Sequence, residues 1–208
     1  MKTILTILLL SMTCFANPKL IVKQSLVHIV SEQLEGSGSG VIIQSSKNKT
    51  IILTNKHVCM VAQNSRFRVK AVKDYNKNSL KYYPAKIDFM SINKDLCILK
   101  SKKQLKHAAK IAEKDVNLGD TLLTYVNYGR ILGVFSQGIA GHIVLFPENK
   151  EYMMSNLYGF SGSSGSGVFN KNGELVGIVT VKIGRDMGHI RLEHIKNFLD
   201  NYINANKE

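Results

Sequence analysis

An all-β protein, built as barrels or a sandwich and closed by one C-terminal helix, is the fold class that this sequence predicts. Three observations carry the prediction. Short apolar runs rich in β-branched residues recur along nearly the whole chain, in the manner of strands. Clusters of turn residues separate them, at Gly36 to Gly40, Ser45 to Asn48, Asn76 to Ser79 and Asn170 to Gly173. Helical periodicity occurs only at the tail. The 44% hydrophobic content excludes a disordered chain, and three cysteines in 208 residues are too few for a disulfide scaffold. No apolar stretch reaches the roughly 18 residues that a spanning helix needs.

Taken in order, residues 1–16 read as an export signal. Lys2 gives a positive start, Thr3 to Thr13 an apolar centre, and Cys14-Phe15-Ala16 a small-residue step before cleavage. A secreted or periplasmic protein starting at Asn17 is expected. The strand-like runs are then Leu20 to Val22, Leu26 to Val30, Val41 to Ile43, Ile51 to Leu53, Phe67 to Val72, Ala85 to Ile87 and Leu96 to Leu99. They continue with Thr121 to Val126, Ile139 to Phe146, Gly167 to Phe169 and Leu175 to Ile183. Ser101 to Asp120 is the least patterned stretch and divides the chain into units at 17–110 and 111–208. From Ile190 to Ile203 the apolar residues recur at three- and four-residue steps, which marks an amphipathic helix.

Charge is uneven. The formal net charge is +13, and residues 17–110 alone carry +13 while 111–208 carry −1. A basic first half admits an acidic partner or an anionic surface, or is simply a lysine-rich solvated face. No aromatic-and-basic motif of a nucleic-acid binder accompanies the lysines.

Three segments carry chemistry together. Ile52-Leu-Thr-Asn-Lys-His57 ends a strand in a polar turn presenting an imidazole. Asn93-Lys-Asp95 sets a carboxylate before a buried strand. Gly159 to Asn170 is a glycine- and serine-rich turn leading into another strand. A serine hydroxyl is a weak nucleophile at neutral pH and needs a base in contact, which in turn needs an orienting acid. Glycines beside it let backbone N–H groups approach a developing oxyanion. Each residue alone is unremarkable as a sign of catalysis; the order His57, Asp95, Ser164 with these flanks is specific.

With those residues in hand, the chain resembles the HtrA-type, trypsin-like serine peptidases. Gly36-Ser-Gly-Ser-Gly40 followed by Leu53-Thr-Asn-Lys-His57-Val is similar to their opening. Ala85 to Leu99 resembles their acid segment, and Gly162-Ser-Ser164-Gly-Ser-Gly to Ile178 their nucleophile loop and next strand. The resemblance spans about Leu20 to Ile203. It implies two six-stranded antiparallel β-barrels of the chymotrypsin-like kind with a C-terminal helix. The first barrel lies in 17–110 with His57 and Asp95; the second lies in 111–208 with Ser164. It also implies an oxyanion hole at the N–H groups of Gly162 and Ser164, and no cofactor or metal. The expected activity is that of an exported serine endopeptidase acting on proteins or peptides through an acyl-enzyme; the alternative is a peptidase-fold binding module using its basic first half.

Ser161 also sits in a Gly-x-Ser-Gly frame, but the register counted back from Val168-Phe-Asn170 favours Ser164. Many digestive relatives carry an acid before the nucleophile, which pairs with a newly cut N-terminus. Ser163 stands there, so no activation cleavage beyond signal removal is expected. The resemblance places Tyr158 and Gly159 at the base of the specificity pocket, and Gly188 and Ile190 on its wall. Thr180, Val181 and Lys182 form the segment that pairs with substrate backbone. No acid lies at these pocket positions, so a neutral, small or apolar residue is expected before the scissile bond. Cys59 and Cys97 fit either a disulfide or reduced core packing. His28, His107, His142, His189 and His194 show no zinc spacing. The order Ser164, Asp186, His189 or His194 would suit an α/β-hydrolase, but its Gly-x-Ser-x-Gly turn does not occur.

Overall fold

The computed structural model describes residues 17–31, 36–60, 67–71, 82–105, 107–128, 131–147 and 150–207. The expected signal at 1–16 and the turn at Asn76 to Ser79 lie outside them. Among the described residues, twelve strands form two closed antiparallel barrels of six strands each. The first contains β1 (Leu26–Ser31), β2 (Ser37–Ser46), β3 (Lys49–Thr54), β4 (Phe67–Ala71), β5 (Tyr83–Met90) and β6 (Cys97–Ser101), and the β1–β4 pair closes it. The second contains β7 (Thr121–Tyr128), β8 (Ile131–Phe146), β9 (Lys150–Ser155), β10 (Gly167–Asn170), β11 (Leu175–Ile183) and β12 (Asp186–Arg191), closed by β7–β10.

The continuous apolar run of β3 follows from where it sits. Ile52 points into the first barrel, packed with Val27, Ile29, Ile42 and Leu99. Ile51 and Leu53 point outward into a core shared with the second barrel, which includes Leu123, Phe169, Ile178 and Ile190. Both faces are buried, so the strand does not alternate with polar residues. The second barrel has its own interior of Leu122, Met153, Val168, Val176 and Val179. Helix α3 (Leu192–Ala205) seals the shared core with Ile195, Phe198 and Tyr202. Each such buried side chain contributes about 1.5–3 kcal/mol. The Tyr202 hydroxyl donates to the Asp88 carboxylate at 2.7 Å, tying the helix to the first barrel.

Four sequence expectations are corrected. Leu20 to Val22 is not a strand but part of helix α1 (Pro18–Ser25). Asn17 caps the Lys19 N–H at 3.0 Å and Pro18 opens the first turn, start signals that outweigh a three-residue apolar run. Lys56–Met60 is a one-turn helix, α2, so the tail is not the only helical segment. The C-terminal helix begins at Leu192, because Ile190 is paired with Ile178 in β12. Strands β9 and β12 lie outside the expected runs: β9 has only Tyr152 to Met154 behind Lys150 and Glu151, and β12 separates Met187 from Ile190 by Gly188 and His189, so neither carries a β-branched run.

His189 lies inside the second barrel, 1% exposed, with Nδ1 lacking a hydrogen-bond partner among the described residues. Burial first, and the Arg191 charge second, push its pKa down to about 4. Between about 6.5 and about 4 the unfolded chain binds a proton that the folded chain excludes. Stability contributed by the neutral ring is therefore complete above that window and is lost as pH falls through it, by about 3 kcal/mol. Urea unfolding at pH 7 and pH 4.5 is expected to show this loss, and a His189→Gln variant a flatter profile. An equal loss in the variant would assign the acid sensitivity elsewhere.

Candidate active site

The β3–β6 register brings His57 and Asp95 together. Thr54 pairs with Cys97 in an antiparallel ladder, so residues just after β3 lie beside residues just before β6. Asn55 donates its side-chain amide to the Asp95 carbonyl at 3.0 Å, and the Asp95 carboxylate then turns toward α2. It accepts the His57 backbone N–H at 2.8 Å and faces the His57 Nδ1 at 2.6 Å. The Thr180 hydroxyl donates to the same Oδ2 at 2.6 Å. Burial acts to raise the Asp95 pKa, but the hydrogen bonds from His57 and Thr180 and the electrostatic interaction with His57 outweigh it and hold it below the usual carboxylate value. An ionised carboxylate only accepts, so Nδ1 carries the ring proton and Nε2 keeps its lone pair.

The Ser164 loop is clamped by backbone bonds from both barrels. Ser39 on β2 donates its N–H to the Ser164 carbonyl at 2.8 Å and its hydroxyl to the Gly162 carbonyl at 2.8 Å. Gly165 donates to Val179 at 2.9 Å, and a Cβ at Gly165 would lie 2.0 Å from the Ser39 carbonyl oxygen at a φ of +87°. Ser163 N–H bonds the Phe160 carbonyl at 2.9 Å across a turn whose third residue, Gly162, has a φ of 97°. That is a type II turn, which needs glycine there. Ser163 is buried, and its hydroxyl accepts the Phe160 N–H at 2.8 Å. This reciprocal latch stands at the position before Ser164, where the sequence carries no acid.

Among the described residues, the N–H groups of Ser161, Gly162 and Ser164 have no acceptor, whereas those of Phe160, Ser163, Gly165 and Ser166 are bonded. Gly162, Ser164 and His57 line one cleft of about 230 Å³ with Ile29, Gly38 and Val58. The Ser164 hydroxyl makes no hydrogen bond to the imidazole, a separation common before substrate arrives.

The expected specificity positions differ in exposure. Tyr158 is 67% exposed, its ring against Phe160. Ile190 lies in the shared core and borders a second cleft, which His57 and Asp95 also line. The residue missed from sequence is Met187. It is 3% exposed, and a Cβ on Gly159 would lie 2.3 Å from its Cε and 2.5 Å from its Sδ. The thioether therefore fills the space facing Gly159. Its register partner Lys182 was in hand, and counting across the β11–β12 hairpin would have reached it. Thr180 and Val181 are half-buried and Lys182 exposed, on a strand whose pairing with β10 ends at Ile178.

Cys59 and Cys97 form a disulfide, joining α2 to the start of β6 directly behind the His57–Asp95 pair. One group with metal-ligand types exists among the described residues, Glu151, Glu193 and His194. Arg191 already sits among these side chains, paired with Glu151, Glu193 and Asp115, and supplies the positive charge. Among the described residues no helix is long and apolar enough to cross a membrane.

The sequence profile described as the trypsin-like peptidase domain matches residues 38–178. No curated protein matches the chain. Among solved structures, Deg5 is 20% identical over 87% of this chain and 90% of its own, with a TM-score of 0.72. The inactive form of a serine-to-alanine mutant of Rv3671c from M. tuberculosis H37Rv is 16% identical over 90% of this chain and 91% of its own, also at 0.72. The serine endoprotease from Yersinia pestis is 22% identical over 92% of this chain and 67% of its own, at 0.74. At these identities the likeness is one of fold.

Proposed function

Because the chain belongs to the trypsin-like peptidase family, a match covering both the His57 and the Ser164 segments, we propose that it is an exported serine endopeptidase using His57, Asp95 and Ser164. One observation carries the reading: the Thr180–Asp95–His57 hydrogen-bond chain opens onto a cleft lined by Ser164, with the N–H groups of Gly162 and Ser164 unbonded among the described residues. Ser164 Oγ attacks the peptide carbonyl as its proton passes to His57 Nε2. The N–H groups of Gly162 and Ser164 receive the oxyanion, and losing one such donor typically costs about 10²–10³ in rate. The imidazolium, stabilised by ionised Asp95, then protonates the leaving amine, giving the acyl-enzyme that water hydrolyses. Export rests on the composition of residues 1–16 and on the Cys59–Cys97 disulfide, which suits an oxidising compartment. The Ser163–Phe160 latch supports a loop that needs no second cleavage.

A fluorophosphonate probe tests the chemistry: the folded protein starting at Asn17 is expected to label at Ser164, identified by mass spectrometry. Folded protein that stays unlabelled would end the hydrolase reading. Met187 sets the expected specificity, cleavage after small neutral residues. Met187→Ala is expected to raise kcat/KM for a Leu or Phe before the scissile bond about 10–100-fold relative to Ala, the scale of one to a few methylenes in a pocket. An unchanged ratio in a peptide-library profile would show that Met187 is not what limits the pocket.

A further inference from the structure

On the Asp95 side of His57 lies a second cleft of about 310 Å³, where Lys56, Ile92, Lys94, Lys150 and Tyr152 surround the dyad. Three of its lining residues are lysines. The two carboxylates, Asp95 and Glu151, are both engaged: the first by His57 and Thr180, the second by Arg191. Lys56 reaches the Ile92 carbonyl at 3.4 Å, and neither Lys56 nor Lys94 makes an ion pair with a carboxylate among the described residues. The field of these lysines enters the cleft. The Arg191 hydrogen bond is the main cause holding Glu151 below its usual pKa, and Lys94 acts in the same direction.

The cleft also lies on a path for an extended peptide. Strand β11 is paired with β12 out to Ile183, whereas its pairing with β10 ends at Ile178 and its last bond to the Ser164 loop is at Val179. One edge of Thr180–Ile183 is open, and the Thr180 bond to Asp95 sets that edge beside the cleft. A peptide added there turns alternate side chains to opposite faces, one set over the lysines. We propose that this cleft is a subsite for an aspartate or glutamate of the substrate, placed two to four residues before the scissile bond and recognised by Lys56 and Lys94. The assignment rests on the hydrolase reading and adds the substrate's charge to it.

Quenched fluorescent peptides that differ only by Asp or Ala at each of those positions test it. At low salt one position is expected to favour Asp about tenfold in kcat/KM, the scale of two partly exposed charge pairs. The preference should collapse at 1 M salt, where the Debye length is about 3 Å. In Lys56→Gln/Lys94→Gln the Asp-to-Ala ratio should fall to about one, and Lys94→Glu alone should favour Lys over Asp at the same position. A ratio near one at every position, in native enzyme that cuts the Ala peptide, overturns the subsite and leaves the hydrolase reading standing. A preference that survives in both variants overturns the assignment to these lysines. Folded enzyme that neither cuts any peptide nor labels with fluorophosphonate removes the hydrolase reading, and the subsite with it.

Discussion

Ser164→Ala is expected to abolish fluorophosphonate labelling and to lower kcat by about 10⁶, the loss seen when a triad nucleophile is removed. Ser161→Ala is expected to keep kcat within a few-fold. The two hydroxyls stand three residues apart on one loop and line the same cleft, so sequence framing alone separates them weakly. The backbone separates them better. Ser164 is half-buried, its carbonyl is held by the Ser39 N–H, and the next N–H is held by Val179. A serine so clamped keeps its position in the proposed attack on a carbonyl carbon, which is where proximity contributes. Ser161 is exposed at the second position of the type II turn, with neither its N–H nor its hydroxyl bonded among the described residues. Thermal melts that match native protein show that each variant folds. Labelling that disappears in Ser161→Ala and persists in Ser164→Ala would move the nucleophile and dissolve the proposed oxyanion hole.

The parts legible in the sequence were those whose physics is local or whose residue types are rare in combination. β-branched runs such as Ile51 to Leu53 and Leu175 to Ile183 mark strands, because side chains that are stiff at the Cβ suit a pleated, buried surface. The histidine, aspartate and serine segments stand out because each joins a strand end to a polar turn. What escaped notice depends on register. Whether Cys59 meets Cys97 is decided by the Thr54–Cys97 pairing, which fixes the two segments side by side. The Thr180 hydroxyl contact with Asp95 crosses between barrels, and Met187 reaches Gly159 across a hairpin and a loop. No periodicity reports such contacts. The α1 helix is poorly legible for the opposite reason: its signals, Asn17 and Pro18, are local, but the short apolar run that follows them fits either element.

Asp95→Asn isolates the role of charge from that of shape. The carboxylate accepts three hydrogen bonds, from the His57 backbone N–H on Oδ1 and from His57 Nδ1 and Thr180 on Oδ2. An asparagine has the same outline but one arm that can only donate. Placing that arm against the backbone N–H would set two donors face to face, since the peptide proton cannot move. Its oxygen therefore stays there, and the amide NH₂ faces the imidazole and the Thr180 hydroxyl. Thr180 adapts by rotating its hydroxyl to accept. The imidazole adapts by surrendering its Nδ1 proton and carrying one on Nε2 instead, which leaves no lone pair toward Ser164. kcat is expected to fall about 10⁴-fold while KM changes little, because the cleft walls and the open edge of β11 are untouched. Thr180→Val removes one donor and leaves the tautomer intact, so its loss should be nearer tenfold, with the Asp95 pKa rising toward the ordinary carboxylate range. Steady-state kinetics on one neutral peptide read both variants. An Asn variant within tenfold of native kcat would mean that His57 is not the base, and that the short contact between the two side chains serves the fold alone.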